Sequence, residues 1–194
     1  VSGGPVRRAL AAAAALALFA GCSGGADDGA GDPGGAAGPE PSWSVACEAA
    51  TTPVEPVGEL ELPCLGDGAP TAFGVTDGRP LVVVLWASWC GPCIEEAPEV
   101  EAFWQAHGDQ VDVVGVDSAD VRDKGRWFAE DFELSYPSVF DADEAVRIAL
   151  GVPALPGVAF VAPDGTVADV VNEPGVTAGS LTAAAEAAFG LELS

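Results

Sequence analysis

The chain has 194 residues, enough for one domain with a real hydrophobic core plus appendages. Hydrophobic residues make up 49% against 19% charged, so the chain is not disordered as a whole. The formal net charge of −23, with Lys and Arg together numbering 7, repels phosphate backbones and leaves no basic patch, which argues against nucleic acid as a partner.

Arg7 and Arg8 lead into an apolar stretch running from Ala9 to Ala20. A run of about 12 apolar residues is too short to span a bilayer, and a positive start followed by such a run has the pattern of a signal peptide, here residues 1–21. The ending Leu18-Phe19-Ala20-Gly21-Cys22 resembles the lipobox of bacterial lipoproteins, with Phe19 where Leu is usual. That resemblance implies lipidation of Cys22 and an extracytoplasmic protein anchored to the bacterial cell membrane. An ordinary secreted protein is the alternative. Residues 22–42 are Gly, Ala, Asp and Pro without periodicity, the composition of a flexible tether. About 20 such residues reach roughly 60–70 Å when fully extended. The folded domain is expected over residues 43–194.

Asp77-Gly78 marks a turn before residues 81–86, a continuous apolar run expected of a strand buried on both faces. Residues 93–107 have a helical period, with Ile94, Ala97, Val100, Phe103 and Trp104 apolar and Glu95, Glu96, Glu99 and Glu101 polar. The glutamates fall early, where a helix dipole favours them, and Gly108 suits the stop. A second buried strand is expected over 111–116, and a helix over 119–132 in which Gly125 is out of place. A short helix follows over 143–150. Strands at 158–161 and 166–171 are joined by Pro163-Asp164-Gly165, a hairpin signal, and a last helix covers 177–189. The order is β-α-β-α, then a hairpin and a helix. It predicts an α/β fold, a central mixed sheet flanked by helices.

Cysteine usage sets the chemistry. There are 5 cysteines, and with Cys22 assigned to lipid an even number remains, as suits an oxidising compartment. Cys90 and Cys93 stand in Trp86-Ala87-Ser88-Trp89-Cys90-Gly91-Pro92-Cys93, directly after the first buried strand. A structural zinc site wants four ligands, commonly two such pairs or a pair plus histidines. The only histidine, His107, lies at the far end of the predicted helix and reads as a solvated C-terminal residue, and Cys47 and Cys64 form no second C-x-x-C pair. No metal site is therefore assigned. A structural bridge across so small a loop would remove little chain entropy. A redox couple accounts for the placement. Orphan N–H groups and the dipole at a helix N-terminus stabilise a thiolate. Cys90 is then the exposed nucleophile, and the buried Cys93 resolves the mixed disulfide. Gly91 allows a tight turn, Pro92 suits the first helical position, and Trp89 offers an apolar platform beside the sulfur.

These residues carry a family resemblance. The Trp-Cys-Gly-Pro-Cys run after a buried strand resembles the motif of the thioredoxin superfamily. Pro98 matches that superfamily's helix proline, and Pro156, just before 158–161, matches its cis-proline. The resemblance implies that the loop at Leu155 and Pro156 faces the dithiol and pairs with extended substrate backbone. VLWASWCGPCIEEAP is most similar to the TlpA/ResA-like branch of membrane-tethered extracytoplasmic thioredoxins, over about residues 58–190. That branch adds an acidic residue at Glu96, an N-terminal extension, and an inserted helical segment, here expected over 118–136. Gly157 stands where Thr is usual. Glu96 is either one of several glutamates at a helix start or the group that takes the Cys93 proton. Cys47 and Cys64 are expected to form a structural disulfide that pins the N-terminal extension, with a second redox pair as the rival reading. Closing such a loop is worth roughly 3 kcal/mol in the chain-entropy model.

The resemblance implies a protein disulfide oxidoreductase acting on thiols and disulfides of exported proteins, such as apocytochrome c in cytochrome c biogenesis. It needs no cofactor, since the dithiol is the redox group. A reductase needs a membrane electron donor, and a disulfide-forming oxidase of the same fold needs an oxidant partner. Peroxiredoxins carry Thr at the place of Ala87. The alternative of a different class is a copper-binding delivery chaperone rather than an enzyme; relatives of that kind on this fold carry a C-x-x-x-C pair and a distal histidine, whereas this chain has the shorter spacing and no histidine beyond the first helix.

Overall fold

Leu81–Trp86 is the middle strand of the protein, and all six of its residues are buried. The computed structural model describes residues 40–194. The signal-peptide segment, Cys22 and the linker up to residue 39 lie outside the described residues. Among the described residues, no helix is long and apolar enough to cross a membrane.

In chain order the elements are β1 (Thr52–Pro53), β2 (Glu61–Pro63), β3 (Pro70–Ala72), β4 (Gly74–Val75), β5 (Leu81–Trp86), α1 (Gly91–His107), β6 (Asp112–Ser118), α2 (Arg122–Asp131), β7 (Ser138–Asp141), α3 (Ala145–Ala149), β8 (Gly157–Val161), β9 (Val167–Val171) and α4 (Ala178–Phe189). Five strands form one sheet in the order β7-β6-β5-β8-β9. β5, β6 and β7 run parallel, and β8 and β9 are antiparallel additions. Each parallel step needs a helical crossover, which α1 and α2 supply. The sheet is mixed and carries a core on each face. One contains Val82, Val84, Trp86, Val100, Phe103, Phe128 and Phe160, and the other Leu81, Val83, Leu85, Val116, Val139 and Val161. Alternate residues of β5 therefore serve opposite cores, and this two-sided demand is why the strand carries no polar residue.

The structure adds to the expected elements. β7 was not anticipated as a strand. It is short and polar at both ends, and it is held by its pairing with β6 rather than by its own composition. It makes the expected insertion over 118–136 a β6–α2–β7 crossover, integral to the sheet. The outer edge of β7 is covered by the N-terminal extension, where Cys64 bridges Val139 and the Leu65 N–H donates to the Ser138 carbonyl at 2.8 Å. Covering the edge removes a row of unpaired backbone groups. The disulfide Cys47–Cys64, with Cα atoms 5.7 Å apart, sits at this junction, its Cys47 sulfur 3.1 Å from the Ser138 carbonyl. The extension is also tied to α2. Ser42 Oγ and N–H bond Glu130, and Arg126 donates to the Pro41 carbonyl at 2.7 Å. Packing thus begins at Pro41, within the stretch read as linker.

Two local expectations are corrected. Helix α2 starts at Arg122 rather than at 119, because Ala119 has φ 53 and so leaves the helical region. His107 is not solvated. It is 9% exposed, its Nε2 lies 3.1 Å from Thr182 Oγ1 of α4, and its ring tilts against Phe103.

Candidate active site

The C-terminal end of β5 delivers Ala87-Ser88-Trp89-Cys90 to the start of α1. Cys90 is the N-cap of that helix, with extended φ −83 and ψ 106, and Pro92 occupies its first turn. The Cys93 N–H donates to Cys90 Sγ at 3.3 Å, so one orphan amide of the helix start points at the sulfur. Cys90 and Cys93 are joined as a disulfide, with Cα atoms 5.3 Å apart. Both are buried in this oxidised form, Cys90 at 4% and Cys93 at 3% exposure, so the expectation of an exposed Cys90 is corrected. What stands in solvent is Trp89, 60% exposed, with its indole N–H tied to the Ala119 carbonyl at 3.0 Å.

Beneath the disulfide lies a cavity of about 10 Å³ lined by Trp86, Cys93, Glu96, Phe128, Tyr136 and Pro156 among others. That volume is at the lower limit for one water molecule. Glu96 is buried in the second turn of α1. Its Oε1 accepts from the Gly175 N–H at 2.6 Å, and burial raises its carboxyl above the ordinary range against the lowering effect of the Gly175 and Val176 amides. No acidic side chain occupies the first turn, so the glutamates expected to complement the dipole begin only after Cys93.

Pro156 follows a cis Leu155–Pro156 bond and is buried, while Leu155 is half-buried. Asn172 of the segment after β9 clamps the loop, donating to the carbonyls of Ala154 and Pro156 at 2.6 and 2.7 Å. At Gly157 a Cβ would come within 2.7 Å of a Val152 methyl, so that methyl fills the place of the side chain usual in the family.

On the other side of the dithiol, the loop between β6 and α2 runs beside residues 88–89. Asp120 Oδ2 accepts from the Ser88 N–H at 2.5 Å and its Oδ1 from the Val121 N–H at 2.7 Å. Behind it, Asp117 is fully buried, and its oxygens have no donor to accept from, only the neighbouring carboxyl of Asp120. Burial first, then the charge of Asp120, pushes the Asp117 carboxyl up to about 9. Sequence reasoning missed Asp117, Asp120 and the Ala119 carbonyl. The one available signal was Gly125. A Cβ there would lie 1.9 Å from Asp117 Oδ2, so the glycine that looked out of place in a helix is what admits the carboxyl.

A protein-family model described as Redoxin matches residues 49–187, most of the chain. The chain belongs to the Redoxin family. Thiol-disulfide oxidoreductase ResA of Geobacillus thermodenitrificans (strain NG80-2) is 28% identical to this redoxin over 96 residues, 49% of the chain and 55% of the relative. The redoxin spans about half the length of the curated relatives it matches. A secreted Mycobacterium tuberculosis disulfide oxidoreductase homologous to E. coli DsbE superposes with a TM-score of 0.61 at 27% identity, covering 69% of this chain and 98% of that one. MTB dsbF, solved in mixed oxidized and reduced forms, gives 0.62 at 29% identity, over 71% and 99%. The redoxin has the thioredoxin fold and is a TlpA/ResA-like member of that superfamily. Among its described residues, no three or more His, Cys, Asp and Glu side chains are grouped to hold a metal ion.

Proposed function

We propose that this redoxin is a thiol–disulfide oxidoreductase that reduces disulfides of exported proteins through Cys90 and Cys93. The observation that carries the reading is the Cys90–Cys93 pair at the N-cap of α1, with a backbone amide on the outer sulfur and carboxyls on two sides. In the exchange, the Cys90 thiolate attacks one sulfur of a substrate disulfide and the other leaves as a thiolate. Cys93, deprotonated, then attacks Cys90 Sγ and expels the second substrate sulfur. Two electrons pass to the substrate, and the redoxin ends as the disulfide.

The direction follows from charge. A dithiol becomes a strong oxidant when its reduced, thiolate form is stabilised. Glu96 and the Asp117–Asp120 pair place acid groups around this one, which works against thiolate and favours the disulfide of the redoxin. Such a protein gives electrons away and is recharged by a membrane dithiol donor. A disulfide-forming oxidase is the second reading, favoured by the amide pointing at Cys90 Sγ.

Trp89 and Ile94, 60% and 43% exposed, give an apolar rim beside Cys90 on which a substrate chain can rest, and the loop of Leu155 and Pro156, whose proline lines the same cavity as Cys93, is assigned the substrate backbone. Attachment of Cys22 to the membrane and cytochrome c maturation belong to this proposal through the family resemblance. The reduced protein is expected to open the disulfides of a model protein such as insulin, and Cys90→Ser to abolish this. Undiminished reduction by Cys90→Ser would overturn the proposal.

Glu96 is assigned the Cys93 proton. It lines the same cavity as Cys93, and burial raises its carboxyl, which favours its taking up a proton. Glu96→Gln is expected to slow resolution by about 10²-fold while Cys90 alkylation changes by less than about twofold. Rapid-quench kinetics on the mixed disulfide read the first, and iodoacetamide labelling the second. Equal effects on both steps would remove Glu96 from this role.

A further inference from the structure

Four features in and around the β6–α2 loop make and break no bond in the exchange just described. Asp117 is fully buried, no donor reaches either of its carboxyl oxygens, and the side chain it meets is the carboxyl of Asp120. Gly125 of α2 leaves room for that carboxyl where any side chain would collide. Ala119 is held at φ 53, a left-handed conformation that is strained for a non-glycine residue. Asp120 uses both oxygens, one on the Ser88 N–H and one on the N-cap residue of α2, while the Ala119 carbonyl takes the Trp89 indole. Together these join the loop to the two residues before Cys90.

We propose that Asp117 is a positioning residue for the dithiol. As a neutral acid it donates to Asp120, and so holds the Asp120 carboxylate on Ser88 and spreads its charge away from Cys90. A buried carboxyl without a partner is costly as an anion, and the carboxylate beside it makes ionisation costlier still. Sharing one proton between the two is the arrangement that relieves both. The elements packed against Asp117 offer no competing charge. It pairs with Trp86 of β5 and Phe140 of β7, and on α2 it meets Gly125. Arg122 turns its guanidinium to the carbonyls of Cys64, Leu65 and Gly66, and Asp141 accepts from the Ala145 and Val146 amides. Asp117 reaches the reacting sulfur only through Asp120 and Ser88.

The inference rests on the dithiol reading above, but its test does not need a protein substrate. It reads the rate of Cys90 alkylation against pH in the reduced protein carrying Cys93→Ser, with circular dichroism to show which variants are folded. Asp117→Val removes the donor, leaves Asp120 with its full charge, and is expected to raise the Cys90 thiol pKa, slowing alkylation at pH 7 by at least about threefold. Gly125→Ala, whose methyl displaces the carboxyl, is expected to do the same. Asp117→Asn keeps a donor to Asp120 and is expected to return the profile to within about twofold of the parent. Asp120→Asn, at a half-exposed position, retains an acceptor for Ser88 without the charge and is expected to shift the profile the opposite way. The inference is overturned if a folded Asp117→Val or Gly125→Ala leaves the profile in place, if Asp117→Asn is as slow as Asp117→Val, or if Asp120→Asn changes nothing. Failure of the wild-type protein to reduce insulin, with these shifts intact, would instead count against the function alone.

Discussion

Cys93→Ser is expected to convert the protein from a turnover catalyst into a trap. Cys90 keeps its place at the N-cap of α1 and still attacks a disulfide, but the atom that would release the product is gone. In the wild type that atom is the sulfur already bonded to Cys90 in the oxidised form. Intramolecular attack at such a geometry outruns an external thiol by several orders of magnitude in effective concentration. The steady-state rate with an insulin-like substrate should therefore fall by at least about 10³-fold. A covalent adduct at Cys90, removable by dithiothreitol, should accumulate to near one per protein. Mass analysis under non-reducing conditions reads it. An adduct at Cys47 or Cys64 instead would transfer the chemistry to the second disulfide, whose place at the edge of β7 marks it as a tie between the extension and the sheet.

Asp117→Asn is expected to stabilise the protein at neutral pH. The folded carboxyl is pushed up to about 9 from an ordinary value of 3.8, so between these limits the folded state holds a proton that the unfolded state has lost. Stability is then fully present below about pH 4 and falls by about 1.4 kcal/mol per pH unit as pH rises toward about 9. At pH 7 the accumulated loss is on the order of 4 kcal/mol, and Asn, which needs no proton, avoids it. The difference between variant and wild type in urea unfolding should be near zero at pH 4 and should reach about 2–4 kcal/mol at pH 7, allowing for an imperfect hydrogen bond. A difference that does not change with pH would mean that Asp117 does not hold its proton in the folded state.

These two expectations differ in how far the sequence alone leads to them. The dithiol was legible because its chemistry is local. A buried strand, two cysteines one helical turn apart and a proline at the first turn all lie within the 13 residues from Leu81 to Cys93. The β5 strand, α1, the β8–β9 hairpin and α4 were legible for the same reason, each carrying its period and its turn residues within itself. What could not be read depends on residues far apart in the chain. β7 is too short to announce itself and exists through β6 on one side and Cys64 on the other. The start of α2 is set by the left-handed Ala119, held where Trp89 and Ser88 meet the loop. His107 looked solvated because nothing near it in sequence reveals that α4 will cover it. Burial of Cys90 is likewise decided by the fold around it, not by its place at a helix N-terminus, from which it looked exposed. Asp117 ends an apolar strand and reads as the polar stop of that strand. Only Gly125, displaced in sequence but adjacent in space, records that a carboxyl goes inward there.

The acid groups on both sides of the dithiol are what the proposed direction of electron flow depends on, and the reduction potential of Cys90–Cys93 measures their combined effect. Equilibrating residues 40–194 with dithiothreitol or glutathione buffers and counting free thiols gives it directly. A reductant of exported proteins should have a value near that of thioredoxin, about −270 mV. A value near about −120 mV would mean that the amide at Cys90 outweighs Glu96 and the aspartate pair, making the protein an oxidant that installs disulfides and contradicting the proposed direction.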